Sequence, residues 1–245
     1  MSAPCKILEW DTDFWGFRVA TVTAGDRLDE ARVAAIMQWC LERRVRCLYF
    51  SADGTCPTTL ALAAKHGFSF VDLRVDLERN TQSFGTHSVQ FESGHPAVRA
   101  ATVEDIPKTR RLAGECHTDT RFFKDAEFPR PKAAEMYGRW IDADFARQSL
   151  LVAYFETDPS DPVGYVSYSL PSPGRGRIGV IGVAEAHRGR GVAGKLLDAV
   201  VSVLRDRGCD HVDVATQASN VGALRLYCRR GFLPSTSRVW YHRWW

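Results

Sequence analysis

Long apolar runs are absent from the 245-residue sequence: no stretch nears the roughly 18 consecutive apolar residues of a membrane span. The opening MSAPCKILEWD also lacks the charged-then-apolar order of a secretory signal, so neither a membrane nor an export route is expected. A dominant charge is missing as well. Its 32 Lys and Arg against 29 Asp and Glu leave a formal +3, too little to argue for nucleic acid or an anionic lipid surface. The seven cysteines, at 5, 40, 47, 56, 116, 209 and 228, form no CxxC pair and are odd in number. That argues against a disulfide framework or a zinc site and for reduced, mostly buried thiols in a cytoplasmic protein. The seven His are equally dispersed, and no metal is expected. The composition does not fix an oligomeric state, and a homo-oligomer is compatible with it.

What is present is enough apolar material for an ample core, 45% of residues, in a mixed α/β pattern. In the first half, strand-like CKILEW and FRVATVTA precede an amphipathic helix from about Leu28 to Arg44. The strand CLYFS, a helix from Pro57 to a cap at Gly67, and the alternating strand FSFVDLRVDLE follow. Residues 80–96, NTQSFGTHSVQFESGHP, are polar and aperiodic and are read as a linker, giving domains over 1–90 and 97–245. The second half opens with a short strand and a capping arrangement of Thr102 with Asp105. A helix, the irregular TDTRFFKDAEFPRP, and a second helix KAAEMYGRWIDADFARQ follow. Next come three strands (LLVAYFE, PVGYVSYSL, RIGVIGV), a glycine loop, a helix, the strand HVDVATQ, a helix and a last strand SRVWYHRW. Leu60–Arg79 aligns without gaps on Leu224–Arg243, pairing Gly67-Phe68 with Gly231-Phe232. Two explanations stand. Helix, Gly, Phe, strand is a common junction; alternatively, the first half is a reduced copy of the second that has lost the site and serves as a platform.

The glycine loop HRGRGVAGKLL, His187–Leu197, fits three phosphate-binding patterns. A dinucleotide loop needs its first glycine directly at the strand end, yet AEAHR separates Val183 from Gly189. A triphosphate loop needs Ser or Thr after the lysine to ligate magnesium, and position 196 is Leu. The third pattern, R-x-x-G-x-A at Arg188, Gly191 and Ala193, also accounts for its flanks. Here the chain, from about Val98 to its end, resembles the GNAT superfamily of N-acetyltransferases.

The resemblance implies the GNAT fold, a mixed and mostly antiparallel twisted sheet with flanking helices, and acetyl-CoA as acyl donor. It implies that Arg188, Gly189, Arg190, Gly191, Val192, Ala193, Gly194 and Lys195 hold the CoA pyrophosphate. Ile181, Gly182 and Val183 would lie along pantetheine, with the N–H of Val183 or Ile181 polarising the thioester. Downstream, Asn220 and Tyr227 stand seven residues apart, about 10 Å along one helix face. By the same resemblance, Asn220 bonds pantetheine and Tyr227, with an ordinary pKa of about 10, gives its proton to the leaving sulfur. Many relatives have Pro where this chain has Glu185, a departure in the hop before the loop. Glu185 is also a candidate general base, beside the alternative of a solvated loop carboxylate.

The whole chain is similar, more closely, to bacterial TDP-fucosamine acetyltransferases, through LEWDTDFWGF, DTRFFKDAEFPRPKAAEMYGRWI, VATQASNVGALRLY and VWYHR. That likeness implies a nucleotide-linked amino sugar as acceptor, with Arg121, Phe122, Phe123 and Asp125 as candidate contacts. Another small amine, a protein N-terminus, or a non-catalytic acyl-CoA-binding module remain the alternatives.

Overall fold

The computed structural model describes residues 3–23, 25–82 and 96–245. The first half contains β1 (Cys5–Ile7), α1 (Glu9–Trp15), β2 (Val19–Val22), α2 (Glu30–Glu42), β3 (Cys47–Asp53), α3 (Pro57–Lys65) and β4 (Ser69–Asn80). The second contains β5 (Ala97–Ala100), α4 (Ile106–Cys116), α5 (Arg121–Lys124), α6 (Arg130–Ala146), β6 (Leu150–Tyr154), β7 (Gly164–Ser172) and β8 (Arg175–Val183). It ends with α7 (Val192–Asp206), β9 (His211–Gln217), α8 (Val221–Arg229) and β10 (Leu233–Trp244). Most of the 80–96 stretch read as a linker, residues 83–95, lies outside the described residues.

Local chemistry explains most boundaries. The Asp29 side chain caps α2 by accepting from the Arg32 N–H at 2.7 Å. Thr102 and Asp105 form the expected capping box, and the buried Asp105 carboxylate also holds Arg99 at 2.5 and 2.9 Å. In α7, Val192, Leu196, Leu197, Val200, Val201 and Leu204 make one buried stripe at helical spacing. Two elements differ from the sequence expectation. The strand expected over CKILEW stops at Ile7, and Glu9–Trp15 is helical, with Trp10 stacked 5.1 Å above Phe14 at i,i+4 spacing. The segment expected to be irregular contains one helical turn, α5.

All ten strands join one sheet in the order β1-β2-β3-β10-β4-β9-β8-β7-β6-β5. Near its centre the halves interlock: β10 lies between β3 and β4, and β4 lies between β10 and β9. The aligned segments carry matching junctions. Gly67 and Gly231 are both left-handed, at φ +73° and +79°. The Phe68 N–H donates to Ala63 O at 2.9 Å and the Phe232 N–H to Tyr227 O at 3.0 Å. One core packs α7 and α8 on Val166, Ile178, Val212 and Val214. A second, on the other side of β6 and β7, gathers α4 and α6 with Val152, Tyr165, Tyr49 and Trp15. The third packs α2 and α3 on Leu48 and Phe50. Among the described residues, no helix is long and apolar enough to cross a membrane.

Candidate active site

The site begins where two strands part. β8 and β9 pair in parallel only from Arg175↔His211 to Arg177↔Asp213, whereas β8 stays with β7 as far as Val183↔Gly164. A cleft therefore opens beside residues 178–183. Strand alternation fixes which amides face it. Val180 N–H donates to Ser167 Oγ at 3.1 Å, and Ala184 N–H donates to Val163 O at 2.9 Å, both toward β7. The intervening Gly182 N–H points the same way, so Ile181 and Val183 turn theirs toward the cleft. Glycine is required at 182, because a Cβ there would come within 2.6 Å of the Tyr165 ring.

Past the strand, a single turn over 185–187 leads into the glycine loop, with Glu185 exposed. Gly189 and Gly191 are left-handed, at φ +75° and +79°, a conformation that disfavours side chains. Gly191 is the N-cap of α7 and supplies no side-chain acceptor, leaving the amides of Val192, Ala193 and Gly194 for an anion. Gly194 gives close passage to Arg230, which pairs with Asp198 at 2.9 Å. Around the rim, the Arg188 Nε donates to Val183 O at 3.2 Å, and the Arg190 guanidinium lies 4.7 Å over Phe155. Lys195 is half-buried in the first turn. A free N-terminal turn within a ring of cations, next to a cleft with two inward amides, fits a diphosphate continuing into an extended amide-bearing arm.

α8 brings up the remaining groups. Asn220 caps it, its side-chain oxygen accepting from Ala223 N–H at 3.0 Å, which leaves the exposed amide NH₂ free to donate. Tyr227, 3% exposed, packs 5.9 Å from Phe232. Its hydroxyl makes no hydrogen bond among the described residues, yet it is not sealed from solvent. Burial raises its pKa above the ordinary value assumed from sequence, so the phenol is protonated throughout the neutral range.

The acceptor-side residues are placed less simply. Arg121 is walled by the rings of Tyr49, Trp240 and Phe122, at 4.3, 4.2 and 4.5 Å, and burial lowers its pKa. Phe122, 3% exposed, packs against Trp15 and Phe128. Asp125 also turns inward, accepting from His242 Nδ1 at 2.6 Å and Trp244 Nε1 at 3.0 Å. Burial would raise its pKa, but these donors hold it below the ordinary carboxylate range. Phe123 is half-buried at the edge of the same core.

Three further groups escaped the sequence reading. His117 Nε2 and the Tyr165 hydroxyl share a 2.6 Å hydrogen bond, and burial drops the imidazole to about 4, leaving it neutral. Its neighbour Cys116 donates to Val183 O at 3.3 Å. Buried Asp72 of β4 is met by Lys124 at 3.2 Å, which also lies 3.4 Å from Asp119 and from Ser219 Oγ. A lone His or Asp offers no sequence signal for such contacts.

Residues 115–232 match the Acetyltransferase (GNAT) family. The chain is 28% identical, over 98% of both sequences, to dTDP-fucosamine acetyltransferase of Escherichia coli O6:H1. It is 28% identical to mycothiol acetyltransferase of Stackebrandtia nassauensis, over 87% of this chain and 69% of that one. Its fold is that of a GCN5-related N-acetyltransferase from Sphaerobacter thermophilus, with a TM-score of 0.69 and 19% identity over 98% of this chain and 76% of the other.

Proposed function

We propose, from the premise that this chain is a GNAT acetyltransferase that draws its acyl group from acetyl-CoA, that its acceptor is the amine of a nucleotide-linked amino sugar. The observation that carries the transfer chemistry is the parted β8–β9 edge, with Ile181 and Val183 N–H groups turned into it beside the uncapped start of α7. Acetyl-CoA supplies the acetyl group as a thioester. In this reading the first-turn amides of α7, with Arg188, Arg190 and Lys195, hold the diphosphate. Asn220 donates to the pantetheine arm. The Ile181 or Val183 amide donates to the carbonyl oxygen as negative charge develops there during attack by the neutral amine. Tyr227 gives its proton to the departing sulfur, and the proton that the acylated nitrogen sheds passes to water and restores the phenol.

The acceptor assignment is supported by the full-length similarity to an enzyme named for a nucleotide sugar, and by polar groups beside the cleft. Lys124, Asp72, Asp119 and Ser219 lie next to Asn220 and span both halves of the chain. The catalytic groups belong to 97–245, and 1–90 contributes one wall in a cytoplasmic enzyme. The test is mass spectrometry of products from acetyl-CoA and a panel of nucleotide-linked amino sugars, with free amino sugars, polyamines and peptides alongside. Acetylation of a nucleotide-linked sugar is expected; turnover confined to the other amines would refute it.

A further inference from the structure

A cavity of about 520 Å³ stands apart from the groups that handle the thioester. Arg74, Arg175, Arg177 and Arg238 line it, with Ser51 and Thr236 among them, and three acids, Asp76, Glu78 and Asp213, share the wall. The sheet register explains this gathering. Arg177 pairs with Asp213 on the last rung before β8 and β9 separate. Asp213 pairs with Glu78 and Gln217 with Arg74 on β4, and Arg74 faces Arg238 on β10. The cavity therefore begins at the root of the acetyl-CoA cleft and runs across strands from both halves.

Most of its charge is spoken for. Arg74 meets Asp76 at 2.6 Å, and Arg175 meets Asp213 at 2.7 Å and Glu78 at 3.2 Å. Arg238 meets Asp26 at 3.1 Å. Arg177 is exposed and, among the described residues, has neither an ion pair nor a hydrogen bond from its side chain. Four guanidiniums face three carboxylates in the lining and Asp26 beside it, which leaves Arg177 as the guanidinium without an acid of its own among the described residues. Arg74 stands directly opposite Arg238, each held by its own acid, Asp76 and Asp26, so both flank Arg177 in fixed positions. Ser51 Oγ is buried there without a partner.

β4 joins the cavity to the edge of the acetyl-CoA cleft, since Arg74, Asp76 and Glu78 pair with the β9 residues that follow the last β8–β9 rung or lie on it. We propose that this cavity binds the phosphate-bearing part of the acceptor, a nucleoside diphosphate, with Arg177 as the principal contact and Arg74 and Arg238 flanking it. The inference rests on the nucleotide-sugar reading above and extends it to a site. A ligand seated there puts its diphosphate on these arginines and turns its sugar toward the parted β8–β9 edge.

The test is calorimetric titration of the full chain with uridine and thymidine diphosphates, in saturating CoA so that the glycine loop is occupied. Both diphosphates are expected to bind. Arg177→Ala should weaken them about ten- to hundredfold, as loss of a charged hydrogen bond does. Arg177→Lys should recover part of that, and affinity for CoA should be unchanged in both variants. Arg238→Gln, at a separate strand, should weaken the same ligands. Equal affinity in parent and Arg177→Ala, or no diphosphate binding to the CoA-saturated chain, overturns the proposal. Failure of the acceptor reading looks different: diphosphate binding that depends on Arg177, with no nucleotide-linked amine acetylated, supports the subsite and removes the substrate.

Discussion

Replacing Tyr227 with Phe deletes one oxygen from a ring that is 3% exposed, and leaves the contact with Phe232 at 5.9 Å in place. Because the hydroxyl has no hydrogen bond among the described residues, none of the ~1 kcal/mol typical of such a bond is forfeited. Stability should move by less than about 0.5 kcal/mol, roughly 2 °C for a chain of this size. If Tyr227 protonates the sulfur, turnover should drop by about 10²–10⁴, or roughly 3–5 kcal/mol of barrier. Thiol-trapping kinetics report released CoA, and calorimetry should find acetyl-CoA affinity unchanged. Tyr227→Ala is the contrast: emptying a core site costs about 3–5 kcal/mol, so that variant should lose folding as well as turnover. The pH profile carries a further check. A phenol whose pKa is raised by burial keeps its proton below its ordinary value, so activity should show no alkaline loss from Tyr227 below about pH 10. A Phe variant turning over within threefold of the parent, or losing acetyl-CoA binding in step with turnover, would refute the assignment.

Gly182→Ala should destabilise by about 1–3 kcal/mol and lower kcat, since its Cβ would meet the fully buried Tyr165 ring at 2.6 Å and displace the Val183 amide. Chemical denaturation with steady-state kinetics checks both effects, and a parent-like variant would show that β8 yields at no cost. Lys124→Ala should strand the Asp72 carboxylate, which burial already biases toward its neutral form, and lower stability by about 1–3 kcal/mol. Adding Asp72→Asn should return most of that loss, a double-mutant cycle that would read zero if the pair were idle. His242, fully buried, is held by burial at about 4, against about 6.5 when unfolded. The folded chain thus binds fewer protons below the unfolded value, and stability should fall as pH drops from about 6.5 to about 4, by about 3 kcal/mol for this residue. His242→Gln should flatten that slope in urea titrations across the range.

What could be read from the sequence was whatever local spacing controls. The loop at Arg188, Gly191 and Ala193, the capping box of Thr102 and Asp105, and the Gly-Phe junctions at 67 and 231 each depend on neighbours within a few residues. Helix α1 was missed because aromatic residues crowd all around WDTDFW and blur its period, although Trp10 and Phe14 hold the i,i+4 relation. The packing of Phe122 was not legible, since charges stand on both sides of it while Trp15, more than a hundred positions away, supplies its cover. The contacts of His117 with Tyr165 and of Lys124 with Asp72 cross 48 and 52 positions, and no periodicity reaches so far. The Arg177 cavity depends on strand register across both halves, which no single segment encodes.

The crossed placement of β4 and β10 has a consequence for how the chain is made. As the polypeptide leaves the ribosome, β3 and β4 emerge well over a hundred residues before the strand that belongs between them, Leu233–Trp244. Every rung joining those elements has a large sequence separation, a topology that slows folding and leaves hydrogen-bonding edges waiting. The leading segment must stay unfinished until that strand arrives, so the wall on which Arg74 faces Arg238 can form only after Leu233–Trp244 has been made.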